Sequence, residues 1–211
     1  MLDPGPVLVA NAPLTWSEKL AAVAAAGDPL LAADGGANAL ARLGLRPIAV
    51  IGDLDSIAAE TRAWVGRDRL VHLPGQDHTD LEKSLTYAFD ELGLERLTVL
   101  GALGGRHDHA VGNLGLLARF HIAERLRFLG EAFVTIALAG EADLAARPGE
   151  TWSFWTFDPQ VRVTLRGVRW PVRAADLSAG CRPSISNRAA ADRVSVRADN
   201  GPVIVSRFVD L

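Results

Sequence analysis

The stretch Ile48-Ala49-Val50-Ile51-Gly52-Asp53-Leu54-Asp55-Ser56 decides the fold: a short apolar run stops at a glycine and opens into a pair of carboxylates. An apolar run of this length bounded by turn residues reads as a buried strand, and the helical pattern Ile57–Val65 follows it. The same unit recurs on both sides. Upstream, strand Leu30–Ala33 runs into Asp34-Gly35-Gly36 and helix Gly36–Leu43; before it come strand Val7–Ala10 and helix Ser17–Ala26. Downstream, strand Leu70–Leu73 leads through Gln76, Thr79 and Asp80 into helix Thr79–Leu92, and strand Leu97–Leu100 leads through Gly104-Gly105-Arg106 into a helix from about Asp108 to His121. Phe133–Leu138 is expected as a sixth strand. Continuous apolar strands alternating with helices predict right-handed βαβ units, hence an α/β domain with a mostly parallel sheet and flanking helices.

Near Gly140 the pattern changes. Thr151–Phe157, Val161–Trp170, Arg193–Ala198 and Val203–Val209 alternate with period two and have no helix between them, which predicts antiparallel strands. Asn200-Gly201 suits a type I′ hairpin joining the last two. The expected organisation is an α/β catalytic domain at 1–140 and a small antiparallel β-sandwich domain at 141–211, with Ala139–Gly149 as the junction.

With 49% hydrophobic and 22% charged residues the chain is an ordinary globular protein, and a net charge of −3 gives no footprint for nucleic acid. No run approaches the roughly 20 apolar residues that span a bilayer, so no membrane partner is expected. Cys181 is the only cysteine and cannot form an intrachain disulfide, and Met1-Leu2-Asp3-Pro4-Gly5 shows neither region of a signal peptide. These features predict a cytoplasmic enzyme. Lys19 and Lys83 are the only lysines among 22 basic residues, which sets Lys83 apart.

In an open parallel sheet, ligands bind beyond the carboxyl ends of the strands, and here four successive strands deliver carboxylates to that edge. Each Asp alone is explicable as a helix cap. Thr79-Asp80-Leu81-Glu82 matches a capping box, so Glu82 reads as structural. Asp53 and Asp55, two apart in a loop, repel each other unless they share a hard cation; Mg²⁺ suits carboxylates combined with phosphate oxygens, and no Cys or His cluster favours zinc. Gly104-Gly105 before a helix suits an anion, Arg106 can clamp a phosphate, and Lys83 lies one turn beyond Asp80. No Walker loop, dinucleotide fingerprint or protein-kinase signature is present. His72, His78, His107, His109 and His121 read as loop or packing residues.

In order, Ala33-Asp34-Gly35-Gly36-Ala37-Asn38, Gly52-Asp53-Leu54-Asp55-Ser56, the segment from Gln76 to Lys83 and the segment from Gly101 to His109 resemble the motif series of the thiamine pyrophosphokinases. Gly167-Val168-Arg169-Trp170-Pro171 and Ser184-Ile185-Ser186-Asn187 resemble that family's later motifs, so the likeness covers nearly the whole chain. The resemblance implies transfer of the diphosphate of ATP to the hydroxyl of thiamine, giving thiamine diphosphate and AMP, in a homodimer with thiamine between subunits. It implies Asp53, Asp55 and Asp80 as Mg²⁺ ligands and catalytic residues, with Asp108 also catalytic. Asp34, Thr79, Lys83, Arg106 and Asp108 would surround ATP. Gln76, Ser184, Ser186 and Asn187 would contact thiamine, with Ser186 and Asn187 supplied from the other subunit. Asp80 or Asp108 could accept the hydroxyl proton. Some relatives carry an aromatic shortly after the Ser-x-Ser-Asn motif, where this chain has Arg188-Ala189-Ala190-Ala191. Trp170, Trp152 and Trp155 remain for stacking, and the expectation for them is buried packing.

The acidic edge by itself specifies phosphate chemistry but not the acceptor. A Mg²⁺-dependent phosphotransferase or hydrolase acting on another small alcohol, and a non-enzymatic nucleotide sensor, both remain compatible with it.

Overall fold

The computed structural model describes residues 5–121 and 126–208. The N-terminal four residues bearing on the cytoplasmic expectation, and the last residue of the expected strand Val203–Val209, lie outside them. The described chain separates into two compact units. One holds the residues up to Asn113 together with Phe128–Glu131, and the other holds the remainder.

In the first unit, β1 (Val7–Val9), β2 (Leu30–Ala33), β3 (Ala49–Gly52), β4 (Leu70–His72) and β5 (Leu97–Leu100) form a parallel sheet in the order β5-β1-β2-β3-β4, with β6 (Leu126–Leu129), of which Phe128 and Leu129 belong to this unit, next to β5. β1, β2, β3 and β5 are buried at every residue, as their unbroken apolar runs require. Helices α1 (Glu18–Ala25), α2 (Gly36–Arg42), α3 (Ala59–Val65), α4 (Asp80–Thr86) and α5 (His107–Arg119) follow β1 to β5 in turn. Ser17 caps α1 and Thr79 caps α4, each accepting from a backbone N–H at 3.3 Å. The expected helix Thr79–Leu92 is divided: α4 passes into a single π turn at Tyr87–Glu91, closed by Leu92 N–H to Tyr87 O at 3.0 Å.

Two glycines bring neighbouring loops against the end of β1. A Cβ on Gly36 would lie 2.1 Å from Val9 O, and one on Gly101, which has φ 68°, would lie 2.7 Å from Ala10 O. Any side chain there would push α2 or the loop after β5 off the strand ends that build the site.

The second unit is antiparallel. β7 (Phe133–Ala145) pairs along β12 (Arg193–Phe208); β9 (Arg162–Arg166) pairs with the first part of β12 and β8 (Thr151–Trp155) with its last part. β10 (Val172–Ala175) adds to β9 and β11 (Ser184–Arg188) to β8. Trp152, Phe154, Val163, Leu165, Val196 and Val205 form a shared core between these strands, the arrangement of a small sandwich.

Two expectations are corrected here. Phe133–Leu138 is a strand as expected but the seventh and not the sixth: it is the first half of β7, antiparallel to β12, and the short β6 precedes it. Asn200-Gly201 is no hairpin tip. Both residues have positive φ, 69° and 144°, as the sequence signal requires, but the chain continues as one strand. Ala198 faces Gly140 and Val203 faces Leu138, so the extra residues form a bulge. Each half of β12 gains a long ladder with β7, which a two-residue hairpin would have replaced with pairing of the halves to each other.

Candidate active site

Three carboxylates converge at the carboxyl ends of the parallel strands. Asp34 follows β2, Asp53 follows β3 and Asp80 opens α4, and one oxygen of each lies within 4.8 Å of the others. The loops that hold them are strained, with Asp34 at φ 38° and the buried Leu54 at φ 65°. A bulky residue at positive φ is uncommon and persists only where its surroundings enforce it. Here Arg62 donates to the Leu54 carbonyl, and Asn38 grips the next residues, donating to Ser56 O and accepting from Ala58 N–H, both at 2.9 Å. Gly52 has no room for a side chain: a Cβ would stand 2.9 Å from both Asp34 Cβ and Asp80 Oδ1.

Asp34 is 1% exposed. Its Oδ2 accepts from Ser56 N–H at 3.0 Å, while its Oδ1 is buried and accepts nothing. Burial raises its pKa above the ordinary range. The Ser56 N–H opposes that rise, and the negative charges of Asp80, Asp55 and Asp53 add to it. Asp53 is shifted the other way, chiefly by the Gln76 amide donating to Oδ2 at 3.1 Å and then by Asp55 N–H on Oδ1 at 3.2 Å. Asp80 Oδ1 accepts from Asp53 N–H and from Lys83 Nζ, both at 3.2 Å. Lys83 is tucked against Asp80 with a side chain only 8% exposed, so the scarce lysine is a built part of the cluster.

The set suits a hard divalent cation. Its donors are all carboxylate oxygens, the negative charges outnumber the single lysine, and a buried oxygen stands without a partner, which is costly unless a cation or donor reaches it.

Beside the cluster lies a cavity of about 720 Å³, lined by Asp53, Gln76, Thr79, Asp80, Lys83 and Arg106 together with Asn11, His109 and Asn113. Gly104 and Gly105, just before the 13-residue helix α5, line it as well. Both have positive φ, and a Cβ on either would fall within 2.9 Å of Pro13, so small size here serves packing on Pro13 as well as backbone access. Arg106 makes a two-pronged pair with Asp108: Nε reaches Oδ1 at 3.1 Å and a terminal nitrogen reaches Oδ2. That guanidinium holds the Asp108 pKa well below the usual carboxylate range and is itself raised.

Asp34, Asp53, Gln76, Thr79, Asp80, Lys83 and Arg106 are thus gathered around one cluster and cavity. Asp55 stands outside the trio, exposed, with Ser56 Oγ donating to its Oδ1 at 2.8 Å. Asp108 is exposed on the first turn of α5. Glu82, read as structural, is 9% exposed; its N–H is capped by Thr79 and its carboxylate meets His78 at 2.9 Å. Sequence reasoning passed over Asn11 and Asn113, and gave Asn38, quoted within its motif, no role. Asn11 stands at the end of β1, where the rule applied to the other strands would have found it. Asn113 is buried and donates to Ala102 O at 2.7 Å, steadying the glycine loop, and carries no sequence signal.

Ser184, Ser186 and Asn187 belong to the second unit, on β11. Ser186 is exposed at φ 56°, with its N–H on Ser153 Oγ at 3.0 Å. Asn187 is 1% exposed. Its Oδ1 accepts from Trp170 and Arg188 N–H, and its Nδ2 donates to Trp170 O and Ser184 Oγ. Trp152 is buried as expected, stacked on Phe154. Trp170 is not: it is 52% exposed, because it stands at the end of a gripped segment, with Arg169 over its ring at 4.9 Å.

Residues 22–128 match the family described as "Thiamin pyrophosphokinase, catalytic domain", and residues 141–203 match "Thiamin pyrophosphokinase, vitamin B1 binding domain". The thiamine pyrophosphokinase of Bacillus subtilis (strain 168) is 26% identical over 184 residues, 84% of this chain and 86% of that protein. Thiamin pyrophosphokinase 1 of Caenorhabditis elegans is 39% identical over 79 residues, 35% of this chain and 32% of its own length. Among solved structures, thiamine pyrophosphokinase from Bacillus subtilis superposes with a TM-score of 0.81 at 24% identity, covering 98% of this chain and 100% of that one. The yeast enzyme does so with a TM-score of 0.78 at 17% identity, covering 99% and 87%. At these identities the superpositions speak for the fold, and the family match across both parts, together with the carboxylate edge, places the chain in the thiamin pyrophosphokinase family.

Proposed function

We infer that this chain is a thiamine diphosphokinase, an ATP-dependent enzyme that moves the diphosphate of ATP as one unit onto the hydroxyl of thiamine and releases AMP. The observation that carries the site assignment is the buried, partnerless Asp34 Oδ1 within a trio of carboxylates. Asp34, Asp53 and Asp80 would hold Mg²⁺, with Asp55 adjoining. Such an ion neutralises charge on the phosphates and on the leaving oxygen.

The chain's own residues supply position and countercharge. Lys83, fixed by Asp80, and Arg106, fixed by Asp108, both line the cavity and offer cations to the phosphate chain. The N–H groups around Gly104 and Gly105 lie at the positive end of α5, where phosphate oxygens are favoured. Thr79 lines the same cavity while capping α4. Both oxygens of Asp108 are engaged by Arg106, so that carboxylate serves to orient the guanidinium, and Asp80, which lines the cavity, is left to accept the hydroxyl proton of the acceptor.

For the acceptor we assign Gln76, whose amide also holds Asp53, together with the exposed Ser186 and the exposed indole of Trp170 as a platform for an aromatic ring. We further propose the division of labour implied by the resemblance: 1–140 for ATP and catalysis, 141–211 for thiamine and for a homodimer with the acceptor between subunits. No helix among the described residues is long and apolar enough to cross a membrane, and a cytoplasmic setting suits a chain whose lone Cys181 is free.

Incubation with ATP, Mg²⁺ and thiamine should yield AMP and thiamine diphosphate in equal amounts. ADP as product, or AMP formed without thiamine, would overturn this assignment; light scattering of the eluted protein tests the dimer.

A further inference from the structure

We propose that Asn187 is a positioning residue that holds Trp170 for the acceptor ring and does not touch the acceptor itself. A carboxamide offers two donor hydrogens and two acceptor sites. Asn187 has all of them engaged inside the chain: Oδ1 accepts from Trp170 N–H at 3.2 Å and Arg188 N–H at 2.8 Å, and Nδ2 donates to Trp170 O at 2.9 Å and Ser184 Oγ at 3.0 Å. At 1% exposure it has no face left for a ligand.

Its place in the fold explains why an amide is needed. The segment before Trp170 lies along the one after Asn187 by backbone bonds, Ala190 N–H to Gly167 O and Arg169 N–H to Arg188 O, both at 2.8 Å. The Asn187 side chain then stands in for a peptide unit and bonds both the N–H and the C=O of Trp170, extending the ladder by one residue. Beyond it comes Pro171, which has no N–H to offer. Trp170 is therefore the last residue held by this ladder, before the chain turns into β10, with its backbone fixed and its indole 52% exposed. Arg169 sits over the ring, 4.9 Å from its centroid, and steadies it from its own side by a cation–π contact. Ser184 belongs to the same device, because its hydroxyl orients the Asn187 amide.

This inference rests on the reading in which Trp170 is the acceptor platform, and the two can fail separately. Asn187→Asp keeps the acceptor oxygens but loses both donors and sets a carboxylate against the Trp170 carbonyl. In the full-length protein it should raise the KM for thiamine about tenfold, with kcat and the KM for ATP within about twofold. The ¹H–¹⁵N NOE of the Trp170 indole, identified by its loss in Trp170→Phe, should fall. Adding Asn187→Asp to Trp170→Ala should cause no further loss, since Asn187 acts through that ring. If circular dichroism shows Asn187→Asp unfolded, Ser184→Ala removes one of the bonds and should give the same pattern at about two- to threefold. An unchanged indole NOE, or additive effects in the double variant, would overturn the positioning role. An unchanged thiamine KM in Trp170→Ala would instead overturn the platform reading.

Discussion

Asp34→Asn should make the metal-free protein more stable while destroying its response to Mg²⁺. Asn is the appropriate change because position 34 sits at φ 38°, a conformation Asn tolerates and Ala does not. Its amide oxygen can keep the Ser56 N–H bond, and its NH₂ replaces the partnerless Oδ1 with a donor facing the carboxylates of Asp53 and Asp80. A buried polar group without a partner costs about 1–3 kcal/mol, more if charged, so a gain of about 2 kcal/mol is expected in EDTA. At roughly 2–4 °C per kcal/mol for a chain of this size, Tm should rise by about 4–8 °C. The gain depends on pH in a defined direction. Since burial raises the pKa of Asp34 in the fold, its protonated form stabilises fully below the unfolded value of about 3.9, and that contribution is lost as pH rises through the folded value. The gap between variant and wild type should be small in acid and full at neutral pH. With Mg²⁺ at about 100 times its Kd, wild type should gain about 2.7 kcal/mol and the variant almost nothing. Scanning fluorimetry across pH, with EDTA or Mg²⁺, reads all of this. A variant less stable than wild type in EDTA at neutral pH, or one keeping the wild-type Mg²⁺ shift, would refute the reasoning.

Gly52→Ala should weaken Mg²⁺ binding at least tenfold though position 52 offers no ligand, because the added Cβ displaces Asp34 and Asp80; equilibrium dialysis of Mn²⁺ as a stand-in reads it, and wild-type affinity would count against the packing argument. Arg106→Lys keeps the charge but loses the two-pronged hold on Asp108, so the KM for ATP should rise about tenfold with the thiamine KM unchanged in steady-state kinetics. Asp55→Asn should abolish Mg²⁺-dependent turnover while the circular dichroism stays that of wild type. Unchanged turnover would remove Asp55 from the site and leave the Asp34, Asp53 and Asp80 trio alone.

What could be read from the sequence followed physical range. The buried strands β1, β2, β3 and β5 announced themselves because a strand covered on both faces must be apolar at every residue; the ends of β2 and β3 then located Asp34 and Asp53, and the capping box after β4 located Asp80, without any knowledge of contacts. Pairing partners were not local. Phe133–Leu138 looks the same whether it joins parallel neighbours or runs against β12, and Asn200-Gly201 supplies positive φ equally to a hairpin or to a bulge. The choice is made by what lies opposite, here Gly140 and the rest of β7. β11 escaped notice because Ser184-Ile185-Ser186-Asn187 has too little apolar character to resemble a strand, and it is held by Asn187 and Ser153 side chains as much as by its ladder.

The same range limit explains which parts of the site stayed hidden. Among the described residues, the non-glycine positions at positive φ are Asp34, Leu54, Ala174, Ser186 and Asn200. Three of them, Asp34, Leu54 and Ser186, lie in the segments assigned here to metal and acceptor. Nothing in the composition of Gly52-Asp53-Leu54-Asp55 marks Leu54 as strained, since the strain is imposed from α3 by Arg62 on its carbonyl and by burial of its side chain. A leucine relaxed into the β region would swing the following carbonyl, and with it Asp55, away from its present place relative to Asp53. The loop therefore trades backbone energy, about 1–3 kcal/mol at such a position, for a fixed spacing of carboxylates. That spacing repels itself until a cation arrives, so the cost of strain and the cost of charge fall at one place and a single ligand can relieve the second of them.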